Sequence, residues 1–210
     1  MTSICPTITA FDPHEYRQQI ERLVPFAKRV HIDLMDGRFA PTKSPGLDQI
    51  WWPETLTADI HLMYQQPINE LNQLVQLKPH LVVIHHEAEG DHIAFATQLQ
   101  AAGIKAGLAI LQDTPVAAIL ELLKSFDYVL VFSGDLGHHG GQADLSLLDK
   151  VRQIRNNFPA LEISWDGGIN DQNAKQLVEA GVNVLNVGGF IQKAEDPRES
   201  YQKLTKALQA

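Results

Sequence analysis

Residues 101–133, AAGIKAGLAILQDTPVAAILELLKSFDYVLVFS, hold one full period of the pattern that decides the fold. Ala101-Ala102-Gly103 closes a helical stretch with the glycine that a C-terminal cap requires. The apolar run over 105–111 reads as a strand. Thr114-Pro115 is a capping residue followed by proline in the first turn, which predicts a helix over 115–125. A second apolar strand follows at 128–133. Outward from here the same alternation fills the chain. Further strands are expected near 4–9, 29–34, 57–62, 81–85, 161–165 and 183–187, and helices near 13–28, 67–77, 91–102, 143–156, 171–180 and 197–208. Asp12 before Pro13 repeats the cap, Asn170 or Asp171 caps the helix after the seventh strand, and Glu179-Ala180-Gly181 ends it. The stretch 41–56 is irregular, with Pro41, Pro45, Gly46 and Pro53, and leaves room for a short helix around Leu47–Trp51.

Strands alternating with helices imply a parallel sheet with both faces covered. Closed into a ring, that is a (β/α)8 TIM barrel, read here as one α/β domain over 1–210. An open doubly wound sheet is the rival, but no Gly-x-Gly-x-x-Gly follows the first strand, which weakens its dinucleotide-binding version. A chain of 210 residues, 44% hydrophobic, suffices for one large core. The net charge of −8 and the lack of a Lys/Arg run argue against a nucleic-acid partner. Acidity does not exclude an anionic substrate, because backbone N–H groups can hold phosphate. The lone Cys5 excludes an internal disulfide and fits a reducing compartment. The first residues lack a basic segment followed by an apolar one, and no apolar run approaches a membrane span. A cytoplasmic protein with no membrane partner is expected.

Active sites of such barrels lie at the C-terminal ends of the strands. The conspicuous polar residues cluster there: Thr7, Asp33, His61, His85, Glu87, Ser133 and Asp166, with fewer at strand starts. His31 and Asp33 are two apart on one strand and share a face. His61 ends the next strand, and Asp166 lies across the ring. Taken singly, each is an ordinary strand-end residue or turn former. Together, at four corresponding positions of one repeating pattern, the two imidazoles and two carboxylates read as a divalent-metal site. The carboxylates also read as an acid/base pair.

The motifs in which these residues sit resemble the ribulose-phosphate 3-epimerase family over nearly the whole chain. They are Pro6-Thr7-Ile8, the run His31-Ile32-Asp33-Leu34-Met35-Asp36-Gly37-Arg38-Phe39-Ala40-Pro41, His61-Leu62-Met63 followed by Pro67, Ile84-His85-His86-Glu87-Ala88, and Trp165-Asp166-Gly167-Gly168-Ile169. The resemblance implies a ribulose-phosphate-binding barrel that inverts C3 of a ketose phosphate. It implies one divalent ion (Zn, Fe, Mn or Co) on His31, Asp33, His61 and Asp166, with Asp33 and Asp166 moving the proton on opposite faces of the carbon. It places Thr7, Met35, Met63 and His85 against the substrate. It assigns the phosphate to main-chain N–H groups at Gly140-Gly141, Gly167-Gly168 and Gly188-Gly189. It implies a small phosphorylated sugar as partner and a homo-oligomer, for which Trp51-Trp52 offers an apolar contact patch.

The chain departs from the family pattern around the substrate. The loop after the sixth strand reads Gly134-Asp135-Leu136-Gly137-His138-His139-Gly140-Gly141-Gln142, one residue longer than usual, and His138 and His139 read as exposed loop residues or substrate contacts. Gln112-Asp113-Thr114 replaces the usual turn after strand five. Phe132 stands for a methionine, Gly189 for a serine and Thr42 for an asparagine. D-ribulose 5-phosphate is the expected substrate, with a hexulose 6-phosphate such as allulose 6-phosphate as the alternative. A decarboxylase or aldol-type synthase on a related barrel would carry Asp-x-Lys-x-x-Asp, but Asp33-Leu34-Met35-Asp36 has no lysine. A non-catalytic sugar-phosphate sensor has no need of the intact quartet.

Overall fold

The computed structural model describes residues 2–138 and 140–209. Its strands are β1 (Ser3–Thr9), β2 (Arg29–Met35), β3 (Thr57–Met63), β4 (Leu81–His85), β5 (Lys105–Ile110), β6 (Tyr128–Phe132), β7 (Glu162–Asp166) and β8 (Val184–Val187). Each pairs in parallel with the next and β1 pairs with β8, so the sheet closes into the barrel the alternation predicts. The α-helices among the described residues are α1 (Pro13–Leu23), α2 (Leu71–Leu77), α3 (His92–Ala101), α4 (Leu148–Asn157), α5 (Ala174–Glu179), α6 (Gly189–Gln192) and α7 (Pro197–Gln209).

Alternate residues of each strand face the helices. Val30, Ile32, Leu34, Ile60 and Leu62 pack there with Ile20, Leu23, Leu74 and Phe95, all fully or almost fully buried. Each such side chain stabilises the fold by about 1.5–3 kcal/mol. The other strand face fills the bore with a smaller apolar cluster: Cys5, Leu81, Val83, Ala109, Tyr128, Leu130 and Val184. Gly107 is required there by space, because a Cβ would lie 2.9 Å from Val83 and 3.1 Å from Tyr128.

Several local expectations hold. Asp12 caps α1, accepting from the His14 and Glu15 N–H groups. Asn170 accepts from Gln172 and Asn173 ahead of α5. Gly103 and Gly181 have φ of +77° and +115° where helices turn into strands.

Others are corrected. Residues 115–125 form two 3₁₀ turns, Val116–Ala118 and Leu122–Ser125, in place of the expected helix. No side chain caps the first of them, because the Thr114 hydroxyl is committed to Glu87. The 41–56 stretch has no helix at Leu47–Trp51; a turn closed by Gln49 N–H on Gly46 O (3.0 Å) stands there. The short α6 was not expected.

Polar residues are not confined to one end. Below the apolar layer, Arg29 Nε donates to Asp59 Oδ2 (2.6 Å) and Arg29 Nη1 to Glu162 Oε1 (3.0 Å). His80 Nδ1 lies 2.9 Å from Asp59 Oδ1. This ion cluster, half-buried around the fully buried Asp59, plugs the N-terminal end of the barrel.

Candidate metal centre and active site

Register delivers the site. Asp33 pairs with His61 across β2 and β3, Thr9 with Asp33 across β1 and β2, and Asp166 with Asn186 across β7 and β8. All four residues of the quartet are buried. One ligand atom from each of His31, Asp33, His61 and Asp166 lies within 4.8 Å of all the others. His31 Nε2 stands 3.4 Å from both Asp33 Oδ1 and Asp166 Oδ2. His61 Nδ1 stands 3.0 Å from Asp33 Oδ1 and 3.8 Å from Asp166 Oδ2.

These residues fit a divalent cation. Ligand bonds of about 2.0–2.2 Å set adjacent donors roughly 3.0–3.6 Å apart, close to the separations found. Both nitrogens of His31 and Asp166 Oδ2 are buried without a hydrogen-bond partner among the described residues. Burying unsatisfied polar atoms is costly, and a shared cation satisfies them together.

Charge is tightly coupled in the metal-free site. Burial lowers the affinity of His31 for a proton, but the carboxylates of Asp166 and Asp33 outweigh it and raise its pKa to about 10. Burial likewise works against ionisation of Asp33, and the imidazoles of His31 and His61 reverse that, holding its carboxyl far below the usual carboxylate range. Thr9 Oγ1 donates to Asp33 Oδ2 at 2.6 Å and fixes the orientation of the carboxylate.

Above the quartet opens a cavity of about 300 Å³ lined on one wall by Asp33 and on the other by Asp166. Thr7 and Met63 also line it, and Thr7 Oγ1 is buried and unpartnered among the described residues. All six expected glycines, Gly140, Gly141, Gly167, Gly168, Gly188 and Gly189, reach the same cavity. Gly168 has φ +69°, and a Cβ there would strike the backbone of Gln142 and Ala143. Only glycine lets these two loops meet.

Met35 and His85 stand elsewhere. Met35 is fully buried beside Ala40 and Met63, away from the cavity lining. His85 lies behind His61, its Nε2 2.8 Å from His61 Nε2. Burial pushes its pKa down to about 4, against the pull of Glu87, so the ring is neutral near pH 7. His138 lines the cavity, while His139 lies outside the described residues. Thr42 Oγ1 sits 2.8 Å from Gly137 O and 3.1 Å from Met35 Sδ, so the Thr42 substitution ties the rebuilt loop to β2. Trp51 stays 38% exposed with the Arg17 guanidinium 6.0 Å over its ring, and Trp52 packs on the core.

Sequence reasoning missed Thr9, Asn186 and Lys193. Asn186 is buried with both side-chain polar atoms unpartnered among the described residues and lines the cavity. Its signal was a lone amide in Val184-Leu185-Asn186-Val187, level with Asp166. Lys193 is the one lysine or arginine among the described residues lining the cavity. It follows the unexpected α6 and carried no linear signal.

A closed parallel barrel with a buried His/Asp cluster at its C-terminal mouth defines a TIM-barrel enzyme with a metal-type site. The chain belongs to the ribulose-phosphate 3-epimerase family, whose model matches residues 3–191. It is 34% identical over 178 residues to the ribulose-phosphate 3-epimerase of Mycobacterium bovis, covering 80% of this chain and 76% of that one. It is 29% identical over 215 residues to that of Helicobacter pylori, covering 99% and 98%. A 3-hexulose-6-phosphate synthase structure superposes with TM-score 0.77 at 17% identity, covering 99% of this chain and 100% of that one. Orotidine 5'-phosphate decarboxylase from Pyrococcus horikoshii superposes with TM-score 0.70 at 14% identity, with 99% of each chain covered. Likeness at this identity concerns the fold alone.

Proposed function

We propose that this enzyme inverts C3 of D-ribulose 5-phosphate to give D-xylulose 5-phosphate by two-base proton transfer through an enediolate. The observation that carries this reading is the pair Asp33 and Asp166, facing one cavity from opposite walls and joined beneath it by His31. His31, Asp33, His61 and Asp166 would hold one divalent ion (Zn, Fe, Mn or Co). When bound, that ion stabilises the negative charge developing on the substrate oxygens. Asp33 takes the C3 proton from one face and Asp166 delivers a proton to the other, the roles exchanging with direction. Thr9 holds one oxygen of Asp33, leaving the carboxylate a single working orientation. Thr7 and Met63 position the sugar, with Met35 supporting Met63 from behind. The glycine loops present N–H groups to the phosphate, and Lys193 supplies a positive charge beside them.

The test is to incubate metal-loaded protein with D-ribulose 5-phosphate in D₂O and follow C3 by NMR. Deuterium at C3 with xylulose 5-phosphate formed is expected. No exchange with metal bound rejects this substrate, and allulose 6-phosphate in the same assay tests whether the rebuilt 134–142 loop has changed the sugar.

A further inference from the structure

We propose that His85 and Glu87 are positioning residues that hold His61 in the one tautomer able to bind metal through Nδ1, and that the 111–114 turn sets them. The inference rests on reading His61 as a metal ligand.

The chain of contacts runs inward from a surface turn. Lys150 Nζ donates to the carbonyls of Leu111 (2.9 Å), Gln112 (2.6 Å) and Thr114 (2.6 Å), pinning the turn to α4. That turn aims the Leu111 N–H (3.0 Å) and the Thr114 hydroxyl at Glu87 Oε1. The other carboxylate oxygen, Oε2, lies 3.4 Å from His85 Nδ1. Those two atoms are buried and have no other partner among the described residues. On the far side of the same ring, His85 Nε2 lies 2.8 Å from His61 Nε2. Phe39 and Phe132 pack on His85 with centroids 4.8 and 5.9 Å away, leaving its ring little freedom to turn.

Proton placement follows from what each atom can do. Two ring nitrogens 2.8 Å apart share one proton. An ionised carboxylate only accepts, so His85 Nδ1, facing Glu87, carries a proton. A His61 bound to metal through Nδ1 keeps its proton on Nε2, and His85 Nε2, 2.8 Å away, must then accept that proton with its lone pair. The reversed arrangement would set the Nδ1 lone pair of His85 against Glu87 Oε2. His61 Nδ1 is thereby left bare, pointing at Asp33 Oδ1 3.0 Å away. A divalent ion between Nδ1 and Oδ1 satisfies both acceptors, in place of the proton that can bridge the pair without it. The dyad thus prepares the ligand atom that the metal needs, a role that hydrogen-bonded partners behind metal-bound histidines commonly fill.

Long-range ¹H–¹⁵N correlation on ¹⁵N-labelled, Zn²⁺-loaded wild-type protein reads the tautomers directly and needs no variant to fold. Protons on His61 Nε2 and His85 Nδ1 are expected; a proton on His61 Nδ1, or on His85 Nε2, overturns the proposal. Co²⁺ titration followed by visible absorption supplies the second readout. Glu87→Leu should weaken Co²⁺ binding roughly 10–100-fold and change the ligand-field bands. Glu87→Gln, whose amide oxygen still accepts from His85, should recover most of the affinity. Tight and equal binding by all three proteins overturns the positioning role while sparing the metal site. A wild-type protein that binds neither ion overturns both.

Discussion

Asp33 and His61 are register partners on adjacent strands, and Asp33 Oδ1 lies 3.0 Å from His61 Nδ1. Strand register sets the two residues side by side, and hydrogen-bonded neighbours aim their side chains: Thr9 holds Asp33 and His85 stands behind His61.

Replacing Asp33 or Asp166 by Asn should remove one arm of the proton transfer while leaving the strand intact. Each substitution, assayed at saturating metal, is expected to lower kcat by about 10²–10⁴-fold with unchanged far-UV circular dichroism. Either variant keeping the wild-type rate of C3 exchange would remove that residue from the chemistry.

Metal uptake should release a proton. In the metal-free site His31 stays charged, its pKa raised to about 10 by Asp166 and Asp33 in spite of burial. A base raised above its unfolded pKa of about 6.5 adds stability that is complete below that pH and drains away as pH rises toward 10. Asp33, held low, has the opposite slope: its contribution is present above about pH 4 and is lost as pH falls. Calorimetry at pH 7.5 in buffers of differing ionisation enthalpy should give about one proton released per ion, with affinity climbing with pH. Uptake without proton release contradicts this picture.

Lys193→Gln should raise the substrate KM about threefold to tenfold and barely move kcat, the signature of lost ground-state binding. Inhibition by inorganic sulfate should weaken in parallel. An unchanged KM would mean that the glycine loops hold the phosphate alone.

Asp59→Ala tests the plug at the far end. Asp59 is fully buried and pairs with Arg29 at 2.6 Å. Removing it leaves a largely buried guanidinium with only Glu162, at about 3–5 kcal/mol. Urea unfolding should show this loss, while the surviving folded enzyme keeps its kcat.

What the sequence made legible follows from where chemistry repeats. His61 near the end of β3 and Asp166 at the end of β7 are unlike the apolar runs around them, so both could be placed before register was known. Asp59 and Glu162 sit at strand starts, where a charge reads as an ordinary solvent-facing flank. Pairing of β2 with β3 brings Asp59 to Arg29, and only barrel closure brings Glu162 there. Helical periodicity over 115–125 was genuine, since Val116, Ile119 and Leu123 are all buried. The pattern records which side chains go inside, and two 3₁₀ turns satisfy it as well as a helix does. The Thr114 hydroxyl, read as a cap, serves Glu87, 27 positions away. No local pattern encodes such a pairing.

The ion cluster at the base and the apolar layer above it make the barrel a blind-ended tube. Water reaches Asp33 and Asp166 by the same mouth that admits the sugar. On the proposed two-base reaction, a bound sugar would stopper the tube, and the aspartates would exchange protons with bulk solvent only between visits. Each turnover would leave the proton on the opposite wall, and the vacant tube would have to reset before repeating the same direction.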